Sequence, residues 1–144
     1  MATLSKSERP KIIIPLQTLD YALEALAVIS LLMLLGLAMF NYGQLPEQIP
    51  THYNINGSPD GFGSKTTLWV LPIVGLLLYV LMTLINRRPE GFNYLVIITP
   101  ENAAVQYRMA TRVIRFMKAF VMLLFAFLVW RTVCIVNGEA EGLF

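Results

Sequence analysis

Hydrophobic positions in this chain gather into three long runs, residues 22–40, 68–85 and 119–136, with the polar residues collected between them. Within each run apolar side chains fall on every face of a helix, whereas a surface helix of a soluble domain keeps one polar face. Each run is close to the roughly 20 residues needed to cross about 30 Å of hydrocarbon at about 1.5 Å per residue. The pattern predicts an all-α membrane protein of one domain, with spans at about 22–42, 67–86 and 117–136. A soluble helical bundle competes, but a chain this short would rarely make its helices apolar all round. The first run is too long for the core of a signal peptide and no A-x-A site follows it, so it is expected to stay as an anchor.

The segment between the first two runs, 43–66, has a different grammar. It contains LPEQIPTHYNINGSPDGFGSK, with the chain's single histidine. Pro46 and Pro50 discourage helix where the chain leaves the first span. From Thr51 to Asn56 the residues alternate, with Thr51, Tyr53 and Ile55 on one side and His52, Asn54 and Asn56 on the other. Asn56-Gly57 and Ser58-Pro59-Asp60-Gly61 are turn formers, Pro59 suiting the second position of a type I turn. Gly61 and Gly63 add backbone freedom before the second span. The prediction is a short strand-and-turn cap resting on the helix ends.

The segment between the second and third runs, 87–116, starts with Arg87-Arg88-Pro89, a helix stop. Residues 94–98, YLVII, read as a short extended stretch. Thr99-Pro100-Glu101 reads as a helix start, with Thr99 as N-cap, Pro100 at the first position and an acid in the first turn. Arg108, Arg112 and Arg115 then share a stripe with Glu101, while Met109, Val113, Phe116 and Met117 cover another face. This predicts a basic amphipathic helix lying on the inner leaflet, holding anionic lipid, and turning into the third span.

Composition agrees with the pattern. Hydrophobic residues are 56% and charged residues 14% of the 144, against about 45–50% and about 25% in soluble domains. The net charge of +2 says little, but its placement says more. Lys6, Arg9 and Lys11 precede the first span, and Arg87, Arg88, Arg108, Arg112, Arg115 and Lys118 lie between the second and third. The 43–66 loop has only Lys65, and Glu139 and Glu141 follow the third span. The positive-inside rule then predicts a cytoplasmic N-terminus, an external cap, a cytoplasmic 87–116 segment and an external C-terminus. Tyr42, Trp69 and Trp130 near the outer span ends fit an aromatic belt. Anionic lipid is a nearer partner for the arginines than nucleic acid, and none of the latter is expected.

Charges inside the spans are costly. Glu24 is expected to be neutralised by Lys118 or Arg87. Arg131 is expected either to snorkel to the outer interface or to pair with Asp60 and hold the loop down. Pro72 and Gly75 predict a kink or a close helix approach in the second span. Cys134, the only cysteine, is expected as a buried apolar thiol, which excludes an internal disulfide and a cysteine-based zinc site.

Three chemistries are open to the cap. His52 with Asp60 gives too few ligands for a closed zinc site, and Pro59 stands where a calcium loop needs glycine. His52, Asp60 and Ser64 could compose a hydrolytic triad, but no nucleophile elbow is present. The third reading makes His52, Asn54, Gly57, Asp60, Gly61, Lys65 and Arg131 a hydrogen-bonded cap, with Asp60 favourably placed before the second helix, and a docking face for an external partner. No enzyme, metal or cofactor is expected.

Pro46, Ile49, Pro50, His52, Asn54, Gly57, Asp60, Gly61, Ser64, Lys65 and Pro72, with TPENAAVQYRMATRVIRFMK before the third run, resemble a family of bacterial membrane proteins carrying a domain of unknown function. The same domain forms the N-terminal part of SdpI-type proteins, which protect their host against a secreted toxic peptide. SdpI-type proteins continue with further helices, whereas this chain has three spans. The resemblance implies membership of that domain family, and the expectation built on it is a non-enzymatic, SdpI-like protein of the bacterial inner membrane that binds or blocks something from outside, such as a toxic peptide; a homo- or hetero-oligomer is open to it. The alternative is an accessory subunit of a larger membrane complex, since the only ionic groups within the spans, Glu24 and Arg131, lie near opposite ends and leave no carrier path.

Overall fold

The computed structural model describes Lys6 and residues 8–144. Its elements are α1 (Thr18–Asn41), β1 (Gln48–Tyr53), β2 (Pro59–Ser64), a 3-10 turn at Lys65–Trp69, α2 (Val70–Ile85), a second short 3-10 turn at Pro89–Gly91, and α3 (Ala103–Val136). Three helical segments, Thr18–Asn41, Lys65–Ile85 and Ala103–Val136, are long and apolar enough to cross a membrane.

The ends of the helices follow from local chemistry. At the start of α1 the Asp20 carboxylate accepts from the Gln17 amide at 2.9 Å, satisfying a donor the first turn would otherwise leave free. Ser64 accepts from the Thr66 amide at 3.3 Å and leads the chain into the 3-10 turn. Pro72 lies in the first turn of α2, where a missing N–H is tolerated, so no kink is required of it. Gly75 performs the close approach: a Cβ there would stand 2.8 Å from Leu34 Cδ2.

The main core joins Leu31, Leu34 and Ala38 of α1 to Met122, Ala126 and Val129 of α3, and is closed at one end by Leu45, Ile49 and Leu68. Small residues let the helices approach closely where lipid offers no hydrophobic drive between them. At the opposite end Ile98, Ala103 and Tyr107 form a second, smaller core, with Ile14 and Tyr94 against it. Tyr94 donates to the Pro89 carbonyl at 2.9 Å, and Arg9 lies over its ring at 5.6 Å. Burial there pushes the Tyr94 phenol up to about 12.

Four local expectations need correction. The basic segment is not a separate surface helix that turns into a span. It is the first part of α3, one unbroken helix of 34 residues, about 51 Å long at about 1.5 Å per residue. That helix begins at Ala103 with Asn102 at the N-cap position. Asn102 Oδ1 accepts from the Thr99 amide at 3.0 Å, and a bond from Thr99 holds the Glu101 carboxyl below its ordinary range. Residues 94–98 form no strand, because Tyr94 and Ile98 turn onto Tyr107 and leave Leu95, Val96 and Ile97 exposed. Finally, the chain reverses over 54–58 rather than at Ser58–Gly61. Asn54 Oδ1 accepts from the amides of Asn56 and Ser58 at 2.9 and 3.1 Å, and Gly57 supplies the positive φ of 79° that the turn needs. Pro59 thereby opens β2, a strand position that does not need its amide.

Candidate functional site

Two polar constructions stand at opposite ends of the helices. At one end β1 and β2 pair antiparallel, from Gln48 opposite Ser64 to Tyr53 opposite Pro59, with irregular register around His52. His52 faces Gly61, where a Cβ would meet the His52 Cβ at 2.9 Å; glycine is what this close pairing admits. His52 Nδ1 and Asp60 Oδ1 lie 2.5 Å apart, with side chains 73% and 41% exposed. Lys65 pairs with Glu47 at 2.9 Å and rests over the Tyr42 ring at 5.4 Å. Tyr42 in turn contacts Trp69, so the aromatic belt expected at this end also anchors the cap.

Every candidate residue of the cap is therefore tied to the cap itself. Arg131 is the exception to the expected pairing. It donates to the Gly142 carbonyl and lies over Trp130 at 5.7 Å, while Asp60 is taken by His52. Arg131 holds the segment after α3, and that segment closes on the hairpin turn: the Leu143 amide donates to the Gly57 carbonyl at 2.9 Å. The sequence reading missed this clasp, as no motif joins residues so far apart.

Because the His52–Asp60 pair is exposed, its loss is screened by water. His52→Ala is expected to lower stability by no more than about 1 kcal/mol, read as a small shift of the thermal midpoint in one detergent. A loss of several-fold that size would show instead that the pair is the keystone of the hairpin.

Between the hairpin and the helices runs a half-open groove of about 420 Å³, with Ile49, Pro50 and Thr51 on one side, Leu68 and Leu71 on another, and Leu128 and Thr132 opposite. Its walls are mainly apolar, with a few hydroxyls. Tyr53 and Thr132 meet at 3.0 Å, pinning β1 to α3, and Thr132 itself donates to Leu128 O at 3.0 Å. A concave apolar site with few fixed polar groups is what an amphipathic ligand requires.

The second construction is ionic and lies toward the other end. Asp20 and Glu24 of α1 face Arg112, Arg115 and Lys118 of α3. Arg112 Nε donates to Asp20 at 3.0 Å and its Nη2 to Gln17 Oε1 at 2.8 Å. Arg115 lies 3.6 Å from Asp20 and 3.2 Å from Glu24; its Nε approaches Glu24 off the N–H axis, as a charge contact more than an aligned bond. Lys118, only 1% exposed, donates to Glu24 at 2.7 Å and to Thr83 of α2 at 3.0 Å, and sits over the Tyr79 ring at 4.6 Å. The cluster ties all three helices together. The expected Lys118–Glu24 pair is present, but Asp20, Thr83 and Tyr79 were not singled out from sequence. Arg112 and Arg115 also depart from the expected lipid-facing stripe: α1 carboxylates take up their charge, and Arg108 alone of the three lies outside the cluster.

No group of three or more histidine, cysteine or acidic side chains converges as a metal site among the described residues. Cys134 is a free, buried thiol.

With this geometry in place, the comparisons are specific about the cap. Residues 28–76 match a domain of unknown function, DUF1648. That stretch takes in most of α1, the whole hairpin and the first part of α2. An uncharacterized protein of Archaeoglobus fulgidus is 37% identical over 87 residues, which cover 55% of this chain and 48% of that protein. The chain thus spans about half the length of the curated relative it matches. No solved structure matches.

Proposed function

We propose that this is a non-enzymatic, multi-pass membrane protein whose hairpin cap faces outside and binds the apolar stretch of an external peptide, as an SdpI-like immunity or sensing protein would. The groove beside β1 carries the reading. It is long enough to be lined by consecutive residues of a strand, and extended peptides commonly add along a strand. Its apolar walls suit a membrane-active peptide, and its hydroxyls suit the peptide's backbone. The outward direction of the cap is supported by charge: Lys11, Arg87, Arg88 and Arg108 lie toward the opposite end, and the cap's one lysine is paired with Glu47.

Cells producing the protein are expected to survive secreted peptide toxins better than cells without it. Thr67→Trp, which fills the groove from an exposed position, is expected to abolish protection while leaving the protein in the membrane. Survival that does not change on deletion, overproduction or groove filling would sink the reading. A cysteine at Ile55, 97% exposed at the hairpin tip, should react with an impermeant maleimide on intact cells if the cap is external.

A role as accessory subunit has one observation in its favour. Ile13 and Leu95, at the end away from the cap, are almost wholly exposed, and a partner chain would cover them. Co-purification of a second chain at fixed stoichiometry under gentle extraction, lost in Leu95→Asp, is the outcome that reading requires.

A further inference from the structure

The outward face of α3 carries a regular spacing of its own. Met109, Val113, Phe116, Phe120, Leu123 and Phe127 follow one another at steps of four, three, four, three and four. Trp130 continues the series by three, and Gln106 precedes it by three. Alternating steps of three and four define the seam of a left-handed coiled coil. The inner face keeps the same rhythm in its second half, through Ala119, Met122, Ala126, Val129 and Val133, and there it is filled by α1. The outer seam is a second stripe, one residue on and so about 100° round the helix, which α1 and α2 do not fill. It is also uncovered: Met109, Val113, Phe116 and Phe120 are 56–60% exposed.

Lipid does not account for all of it. From Glu24 to Asn41 on α1, and from Lys118 to Val136 on α3, the helices rise about 26 Å, nearly the thickness of the hydrocarbon layer. The ionic cluster thus marks one edge of that layer. Met109 and Val113 lie about 14 and about 8 Å beyond Lys118 along the helix, on the watery side of that edge. Apolar side chains there call for protein.

We propose that a second copy of this chain packs along this seam, parallel, about a two-fold axis normal to the membrane. A parallel two-fold pairing puts each seam residue against itself, so one stripe serves both partners. The area suffices. The six most exposed seam side chains leave on the order of 100 Å² each, so two copies would bury roughly 1,200 Å², within the range of specific interfaces. On the cap side the seam borders an entirely apolar groove of about 470 Å³, where Met33 of α1 stands across from Phe120, Leu123 and Phe127; the partner's aromatic knobs fit that hole. Gln106, half-buried at the end of the seam away from the cap, would meet its own copy and fix the register, as a lone polar seam residue does.

The test is disulfide trapping of the full chain in native membranes, in a Cys134→Ser background. Single cysteines are placed on the seam at Met109 and Phe116, and off it at Ala104, an exposed position on another face of the same helix. A mild oxidant is expected to trap dimer at least tenfold more at the two seam positions than at Ala104, because the bond needs Cα atoms within about 7 Å. Particles in nanodiscs should contain two copies, falling to one in Val113→Glu. Equal trapping at all three positions, no trapping, or one copy per wild-type particle would overturn the proposal. Single copies would leave lipid as the occupant of the seam.

Discussion

Asp20→Asn is expected to destabilise the protein far more than Lys118→Met, although both side chains are 1% exposed. The cluster holds three cations, Arg112, Arg115 and Lys118, against two carboxylates, Asp20 and Glu24. Neutralising Asp20 leaves three cations facing one carboxylate, with Arg112 stripped of the carboxylate it is bonded to. Neutralising Lys118 leaves two against two, and Glu24 still has Arg115 at 3.2 Å. Removing one member of a buried pair costs about 3–5 kcal/mol because the other charge is left uncompensated. Asp20 lies in the first turn of α1, where water is near, so about 2–4 kcal/mol is the expected loss. Lys118→Met forfeits the bonds to Glu24 and Thr83 but leaves no stranded charge and keeps a similar volume, for about 1–2 kcal/mol. Thermal or urea midpoints of both variants in one detergent decide the matter. Equal losses would mean that charge balance does not organise the cluster. A larger loss for Lys118→Met would make the bond to Thr83, and not the carboxylates, the main tie.

The same cluster shows where the sequence was legible and where it was not. Three apolar runs announced three helices because length and all-round hydrophobicity are local properties. The cap was legible for a related reason. Pro46, Pro50, Asn54 and Gly57 constrain the backbone beside them, so a small hairpin followed, although the turn settled on Asn54–Ser58 once the Asn54 side chain captured two amides. The ionic tie between helices was not legible. Asp20 and Arg112 stand 92 positions apart, and nothing near either one names the other. Read along α3 alone, the arginines describe a lipid-facing stripe, and only the packing of α1 turns two of them inward. Arg131 failed in the same way: local reading offered snorkelling or Asp60, and the true partner is the backbone of a segment that folds back on the hairpin. The groove depends on such contacts between distant residues: it appears only once β1, the start of α2 and the end of α3 have been brought together.

Gly75→Leu should be among the most damaging substitutions in the apolar part of the molecule. At Gly75 α2 packs against side chains of both other helices. A Cβ there would lie 2.8 Å from Leu34 Cδ2, 3.4 Å from Phe125 Cδ2 and 3.8 Å from Met122 Sδ. Leu34 and Met122 are wholly buried, so neither can swing into open space. A single methyl group can be met by a small rotation of Leu34, and Gly75→Ala is expected to cost about 1 kcal/mol. Leucine at this position must instead push α2 outward, at the upper end of the roughly 1–3 kcal/mol typical of overpacked cores. The displaced helix carries Leu71, and the turn before it Leu68, which form one wall of the groove, so the variant should also reshape the groove. Leu34→Ala alone should open a cavity and cost about 2–5 kcal/mol. Combined with Gly75→Leu it fills that cavity, so the double variant should be more stable than either single one. The coupling between adjacent sites is measurable as the departure from additivity in a double-mutant cycle. Additive losses would mean that Leu34 is not the side chain that keeps residue 75 small, and that the spacing of α2 is set elsewhere along the helix.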